Sequence, residues 1–211
     1  MRDDSGFSLT EMVVVVVLLG VVLAAAWTVM SAVSSMSNSL SARATATAES
    51  DSFISAAGTE LRQAASLKAI AGTDTANADA QAAFYDIGPR QIGFYADIER
   101  DGRPERVAYY VSGTSLMRQQ ADATNGTYPY SWAASSTAQA VVQVIDASWT
   151  GPIFLYYTND DWPPTQITAV SQVASITAVT IQMRNQKAWA DQAASYGASD
   201  TVRVRAIGNG F

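Results

Sequence analysis

The carboxylates of one short stretch have the residue types and the spacing of a calcium-binding loop. Asp97, Glu99 and Asp101 stand at the first, third and fifth places of such a loop, and Glu105 stands at the ninth. The twelfth place, where the loop needs a bidentate Glu, holds Ala108. The flanking residues alternate between apolar and polar, as they do in strands. The sequence therefore favours a plain hairpin, with calcium binding as the lesser alternative.

The composition excludes enzymatic chemistry that needs cysteine or histidine, and leaves carboxylate-only and Ser-Lys arrangements open. The 211 residues include no cysteine and no histidine, so thiol nucleophiles, Ser-His-Asp triads and zinc held by His or thiolate are ruled out. Asp160 and Asp161 form another carboxylate pair, but the neighbouring prolines indicate a solvated loop. Four tryptophans are expected to pack in a core or interface rather than to line a ligand surface: Trp132, Trp149, Trp162 and Trp189. We expect no enzyme activity and no cofactor.

The charge balance argues against a nucleic-acid partner. The chain has 13 basic and 19 acidic residues, which gives a formal net charge of −6. No stretch concentrates Lys and Arg, as binding to a phosphate backbone requires. We therefore expect no nucleic acid among the partners.

An uncharged apolar segment, Met12–Met30, is the element that must position the N-terminal polar residues. As a helix, it is about 28 Å long, close to the hydrocarbon thickness of a bilayer. In lipid, a helix satisfies its own backbone groups. Trp27 lies near the far end, where an indole favours the membrane interface. The segment predicts a single membrane span.

One carboxylate, Glu11, stands at the edge of this apolar segment. A charge so close to hydrocarbon is costly unless it is paired, neutralised or able to reach the interface. Taken alone, Glu11 is best interpreted as a residue that extends to the lipid headgroups. Its immediate sequence context changes that interpretation.

The string from Gly6 to Glu11, GFSLTE, followed by a long apolar run, resembles the class III signal of type IV prepilins and type II secretion pseudopilins. The resemblance implies cleavage by a prepilin peptidase between Gly6 and Phe7, followed by N-methylation of Phe7. It also implies that Glu11 pairs with the N-terminal amine of a neighbouring pilin or pseudopilin subunit during assembly. The protein would then be a single-pass protein of the bacterial cytoplasmic membrane before assembly, and part of a cell-surface or periplasmic filament afterwards.

Two features depart from the pattern of this family. The leader carries Asp3 and Asp4, whereas leaders of the family are often net positive. The chain also has no proline before Pro89, although many major pilins have one within the apolar segment. The absence predicts a straighter first helix and favours a pseudopilin or a minor subunit.

Beyond the span, the sequence predicts that the helix continues from about Phe7 to Ile70. An apolar stripe at near-helical spacing supports the second half of this helix. The stripe consists of Met36, Leu40, Ala44, Ala48, Phe53, Ala57, Leu61 and Ala65. Gly58 is its weak point, and a flexible Ser/Ala linker over residues 31–50 is the alternative. A polar loop is expected from Gly72 to Ala83.

The remaining sequence predicts β-strands, each rich in β-branched and aromatic residues and bounded by turn residues. The predicted strands are Ile92–Ile98, Arg106–Val111, Ser115–Gln119, Gln139–Ile145, Ile153–Thr158, Ile176–Met183 and Thr201–Ile207. Asp101-Gly102 and Ser112-Gly113 separate the first three, which predicts a meander of hairpins. We expect an α+β fold, in which a long N-terminal helix packs on a mostly antiparallel β-sheet domain.

A narrower resemblance concerns the C-terminal part. The strings RVAYYVSGTSLMRQ, PIFLYYT and ITAVTIQMRN are similar in order to those of J-type pseudopilins and PilW-like minor pilins, and FISAAGTELRQAA resembles the end of their helix. The expected organisation is a cleaved leader (1–6), a transmembrane assembly segment (7–30), an amphipathic helix (31–70) and a β-rich domain (71–211). A membrane-anchored adhesin or carbohydrate-binding domain is the alternative. Such an anchor would keep Met1 or be cut after Ala26.

Overall fold

A computed structural model of the chain describes residues 8–71, 81–143, 145, 148–158, 165–167, 175–189 and 192–203. The chain divides into two compact units, Met1–Ala42 and Arg43–Phe211. A long N-terminal helix is followed by antiparallel β-structure. The predicted α+β class is confirmed.

The first helix, α1, spans Leu9–Arg62 without a break. The alternative of a flexible linker over residues 31–50 is therefore wrong. In the C-terminal part of α1, one face is buried: Ala46, Ser50, Phe53, Ile54, Ala57, Gly58 and Leu61. The predicted stripe is correct at Phe53, Ala57 and Leu61, but Ala44 and Ala48 are exposed. The five-residue step from Ala48 to Phe53 turns the helix by about 140°, so the two positions cannot share a face.

The predicted continuation of α1 to Ile70 is wrong. After Arg62 the chain leaves the helix, and the N–H of Ala65 donates to the backbone O of Tyr95 at 3.0 Å. A short second helix, α2, then covers Leu67–Ala71, and the Oγ of Ser66 accepts a hydrogen bond from the N–H of Ala69 at its start. A backbone contact with the sheet therefore replaces the last turns of the predicted helix. Most of the predicted loop, residues 72–80, lies outside the described residues.

Five strands form an antiparallel sheet in the order β1-β2-β3-β4-β5. They are β1 (Phe84–Gly88), β2 (Gln91–Ala96), β3 (Glu105–Ser112), β4 (Ser115–Asp122) and β5 (Gln139–Val142). The predicted meander is confirmed as β2, β3 and β4. Its turns depend on backbone with positive φ, which is 78° at Gly102 and 61° at Gly113. The sequence analysis missed β1, which is short and ends immediately before Pro89.

Four further strands form a second antiparallel sheet in the order β7-β6-β8-β9. They are β6 (Phe154–Thr158), β7 (Thr165–Ile167), β8 (Ala178–Trp189) and β9 (Gln192–Arg203). The sequence analysis missed β7 and placed the start of β9 at Thr201, which is wrong. Residues 192–200 are mostly Ala, Ser and Gly, and pairing with β8 rather than an apolar pattern makes them a strand. The Asp160–Pro164 loop and Ile207 lie outside the described residues.

One hydrophobic core unites the C-terminal part of α1 with both sheets. Its members include Leu61 from α1, Phe94 and Tyr109 from the first sheet, and Phe154 and Ile181 from the second. The two sheets are also joined by polar contacts. In particular, the hydroxyl group of Tyr156 in β6 bonds to Gly88 N, Gly88 O and Gln91 O around the β1–β2 turn. This second unit therefore completes its own core.

Candidate functional site

The first helix begins with a reciprocal pair of hydrogen bonds between Ser8 and Glu11. The backbone N–H of Ser8 donates to Glu11 Oε2 at 2.9 Å, and the backbone N–H of Glu11 donates to Ser8 Oγ at 3.3 Å. The first helical bond follows, from Met12 N to Ser8 O at 3.2 Å. Together these form a capping box, which satisfies backbone N–H groups that the first turn leaves without partners. Glu11 is thus held at the helix start by its own chain.

This cap uses only one of the two carboxylate oxygens of Glu11. Within the described residues, Glu11 Oε1 has no hydrogen-bond partner. A carboxylate that accepts through one oxygen can still bind a cation through the other. The geometry therefore leaves Glu11 able to accept a second, external donor without giving up its cap.

The apolar side chains that follow Glu11 are exposed along the helix. The eighteen large apolar side chains between Leu9 and Leu40 each keep 51–81% of their surface accessible within the chain. Part of the α1 helix is long and apolar enough to cross a membrane, and none of that part is buried. So much apolar surface requires lipid or other helices around it.

Two of the three predicted site residues cannot be placed. Gly6 and Phe7, between which cleavage is predicted, lie outside the described residues, whereas Glu11 lies within them. Cleavage at this position and methylation of Phe7 therefore stay predictions. The sequence analysis overlooked the role of Ser8, although the spacing Ser-x-x-Glu before an apolar run is a recognisable start of a helix.

The carboxylates of the β2–β3 connection do lie together. One carboxylate oxygen from each of Asp97, Asp101 and Glu105 lies within 4.8 Å of the others. Backbone N–H groups bond to all three side chains. Those of Asp101 and Gly102 donate to Asp97, that of Arg103 donates to Asp101, and that of Ile98 donates to Glu105 at 2.7 Å. The carboxylates thus shape the hairpin that the sequence favoured. Calcium binding at Asp97–Asp101 stays an untested alternative.

Glu105 is an unusual member of this cluster because it is only 2% exposed. Burial raises the pKa of its carboxyl group, and the neighbouring Asp97 and Asp101 act in the same direction. Hydrogen bonds from the backbone N–H groups of Ile98 and Glu99 oppose the shift. Burial outweighs these bonds, so the neutral form of Glu105 is favoured relative to an exposed Glu.

A second polar cluster, which we call the Glu60 clamp, joins α1 to the first sheet. It consists of Glu60, Tyr109 and Arg118. The hydroxyl of Tyr109 donates to Glu60 Oε2 at 2.6 Å, and Arg118 Nη2 lies 2.9 Å from Glu60 Oε1. The Arg118 Nε also donates to both Glu60 oxygens. Tyr109 and Arg118 lie directly opposite each other on β3 and β4, so both reach the same carboxylate.

Comparison with known proteins bears on the N-terminal part alone. Residues 1–27 match the family described as the prokaryotic N-terminal methylation motif, which is the signal of type IV pilins. A search of curated proteins found no match to the chain. The match covers the segment that contains the Ser8–Glu11 cap and most of the apolar segment. The N-terminal resemblance drawn from the sequence is confirmed at this level.

Proposed function

We propose that this chain is a structural, non-enzymatic subunit of a type IV pilus or a type II secretion-like filament, and that it occupies a minor position. The observation that carries the proposal is the methylation motif over residues 1–27, on a helix whose large apolar side chains are exposed. The motif implies processing by a prepilin peptidase and assembly with other pilin-like subunits in a membrane. The exposed helix supplies the surface that such assembly would bury.

In this proposal, the peptidase cuts between Gly6 and Phe7, and the new amine of Phe7 is methylated. Methylation leaves the amine cationic, so it can pair with the Glu11 of a neighbouring subunit. Within a filament core of low dielectric constant, either charge alone would be costly, and pairing relieves both. One such pair per subunit would fix the axial height at which the helices pack, as a single polar residue fixes register in coiled coils.

The capping box gives the two carboxylate oxygens of Glu11 different roles. Oε2 accepts from the N–H of Ser8, and Oε1 is available to the amine of a neighbour. The helix therefore needs no rearrangement of its first turn when a second subunit arrives. This preorganisation would make the carboxylate a better partner than a freely rotating one.

The narrower assignment, to a J-type pseudopilin or PilW-like minor pilin, belongs to the same proposal. It is supported by the resemblance of residues 53–65 and 106–119, two stretches that share the Glu60 clamp. The absence of a proline before Pro89 and the unbroken α1 also favour a minor subunit or a pseudopilin over many major pilins.

The test is to express the chain with a prepilin peptidase and a filament-forming system, and to compare three variants. Glu11→Ala should be cleaved like the wild type, yet be absent from sheared filaments. Glu11→Asp keeps the charge and should retain part of the incorporation. Gly6→Val should stay uncut, which N-terminal sequencing detects. Normal incorporation of Glu11→Ala would refute the pairing role, and cleavage of Gly6→Val would refute the processing site.

A further inference from the structure

A group of aromatic side chains encloses Arg106 on the face of the first sheet that lies opposite the main core. The Cζ of Arg106 lies 4.3 Å from the ring centroid of Trp132, 5.3 Å from that of Tyr85 and 5.7 Å from that of Tyr95. Tyr130 packs on Trp132, with 6.1 Å between the ring centroids. We call this group the Arg106 cage. The rings attract the cation, but they offer it no hydrogen-bond acceptor of ordinary strength.

Two hydrogen-bond donors of the cage lack an acceptor among the described residues. Arg106 Nε and the Tyr130 hydroxyl are both buried, and neither has a hydrogen-bond partner among the described residues. Within the described residues, no Asp or Glu pairs with Arg106. Buried donors are almost always bonded in folded proteins, and each exception calls for an explanation. Among the described residues, three buried side-chain atoms lack a partner. One is an acceptor, Gln63 Oε1, and the other two are these donors of the cage.

The cage is held in place from several sides. The ring of Tyr85 lies across Gly93, where any Cβ would come within 2.6 Å of the ring, and the Tyr85 hydroxyl donates to Val107 O at 3.2 Å. The loop that carries Tyr130 is fixed by the side chain of Asn125, whose Oδ1 accepts from Ser131 N and whose Nδ2 donates to Thr127 O and Pro129 O. The rings are therefore positioned before any partner arrives.

The cage is also accessible. Arg106, Tyr85, Tyr130 and Trp132 are all partly exposed, and only Tyr95 is fully buried. A guanidinium that stacks on rings keeps its edge free for a planar, bidentate acceptor. Tyr, Trp and Arg are also the residue types that dominate the energetic centres of protein interfaces. The surface thus combines an uncompensated cation with the side chains that interfaces use.

We propose that the Arg106 cage is a docking site for an Asp or Glu side chain of a protein partner. The carboxylate would accept from the free edge of the Arg106 guanidinium, while apolar atoms of the partner would rest on Trp132 and Tyr85. Charge complementarity selects the ligand, because no acid of the described residues pairs with this cation. The site lies in the β-structure of the second unit.

The test uses the full chain in detergent micelles, labelled with ¹⁵N at arginine and tryptophan. Two blocked peptides serve as probes: acetyl-AELEA-amide and its matched control, acetyl-AQLQA-amide. The acidic peptide should shift the Arg106 Nε–H and Trp132 indole signals to saturation, and the control should bind at least about tenfold more weakly. Arg106→Lys should reduce the difference between the peptides, because Lys keeps the charge but lacks the planar fork.

A milder variant guards against loss of folding. Tyr130→Phe removes only the buried hydroxyl, should leave the indole signals of the free protein unchanged, and should keep the preference for the acidic peptide. Equal binding of both peptides, or no response to either, would overturn the proposal and make the cage a purely stabilising cluster. Undiminished selectivity in Arg106→Lys would overturn it as well. Shifts that grow with protein concentration alone would assign the surface to a second copy, against the proposal.

Discussion

The two compact units use their apolar side chains in opposite ways. In the first unit, the large apolar side chains from Leu9 to Leu40 remain at least half exposed, whereas Leu61, Phe94 and Val107 of the second unit are completely buried. The second unit therefore satisfies its own hydrophobic surface, and the first does not. Apolar content alone therefore says nothing about stability, since the apolar side chains of the first unit face surroundings that the chain does not supply.

The largest effect that tests this contrast is a matched pair of leucine truncations. Leu61→Ala should lower the free energy of unfolding of the second unit by about 2–5 kcal/mol, because it leaves a cavity in the shared core. Leu18→Ala, at a side chain 59% exposed, should leave unfolding unchanged within about 0.5 kcal/mol. Denaturant titration followed by tryptophan fluorescence measures both. Similar losses of unfolding free energy in the two variants would contradict the difference between the two units.

The Glu60 clamp tests how much a polar contact contributes to the stability of the second unit. Arg118→Met should cost about 2 kcal/mol of stability, because the part-buried Glu60 then loses its charged partner. Glu60→Leu combined with Arg118→Met should recover part of that loss, since no charge is left unpaired. The four stabilities of the double-mutant cycle give the coupling directly. A coupling of zero would mean that the clamp is incidental.

Close packing of the Arg106 cage gives a further measurable effect. Gly93→Ala would place a Cβ against the ring of Tyr85, and the forced displacement should cost about 1–3 kcal/mol. Gly126→Ala, where a Cβ has open space around it, is the matched control and should change stability little. Thermal unfolding of the two variants is the measurement. Equal unfolding temperatures in the two variants would show that the Tyr85 ring moves aside without loss of stability.

The smallest effect concerns pH and Glu105. Burial raises the pKa of this carboxyl in the folded state, so ionised Glu105 lowers the free energy of unfolding of the wild type above that pKa. This destabilisation disappears as the pH falls from the raised pKa to the ordinary pKa of Glu. Glu105→Gln cannot titrate. The stability of the wild type relative to Glu105→Gln should therefore rise as the pH is lowered through this range. A difference that is flat or moves the other way would contradict the shift.

The sequence predicted the parts of the fold that have a strong local pattern. The apolar and aromatic residues of β3 and the turn at Gly113 were sufficient to predict the meander. In contrast, β9 begins with Ala and Ser residues that become a strand only by pairing with β8. The end of α1 depends on the bond from Ala65 to Tyr95, which no local propensity reveals.

The candidate sites divide in the same way. The Ser8–Glu11 cap was not predicted, but it could have been, because a capping box has a fixed spacing of three residues. The Glu60 clamp could not have been, since its bonds join residues 49 and 58 positions apart in the chain. The Arg106 cage also depends on contacts across strands and a loop. Local spacing thus predicts helix ends, whereas polar clusters between elements require the folded chain.

The most direct test of the filament account is the intact mass of the protein purified from cells that contain a prepilin peptidase. The account predicts a chain that lacks Met1–Gly6, starts at Phe7 and carries one added methyl group. A mass that retains Met1, or one that corresponds to a cut after Ala26, would contradict it and identify the exposed helix as a plain membrane anchor or signal sequence.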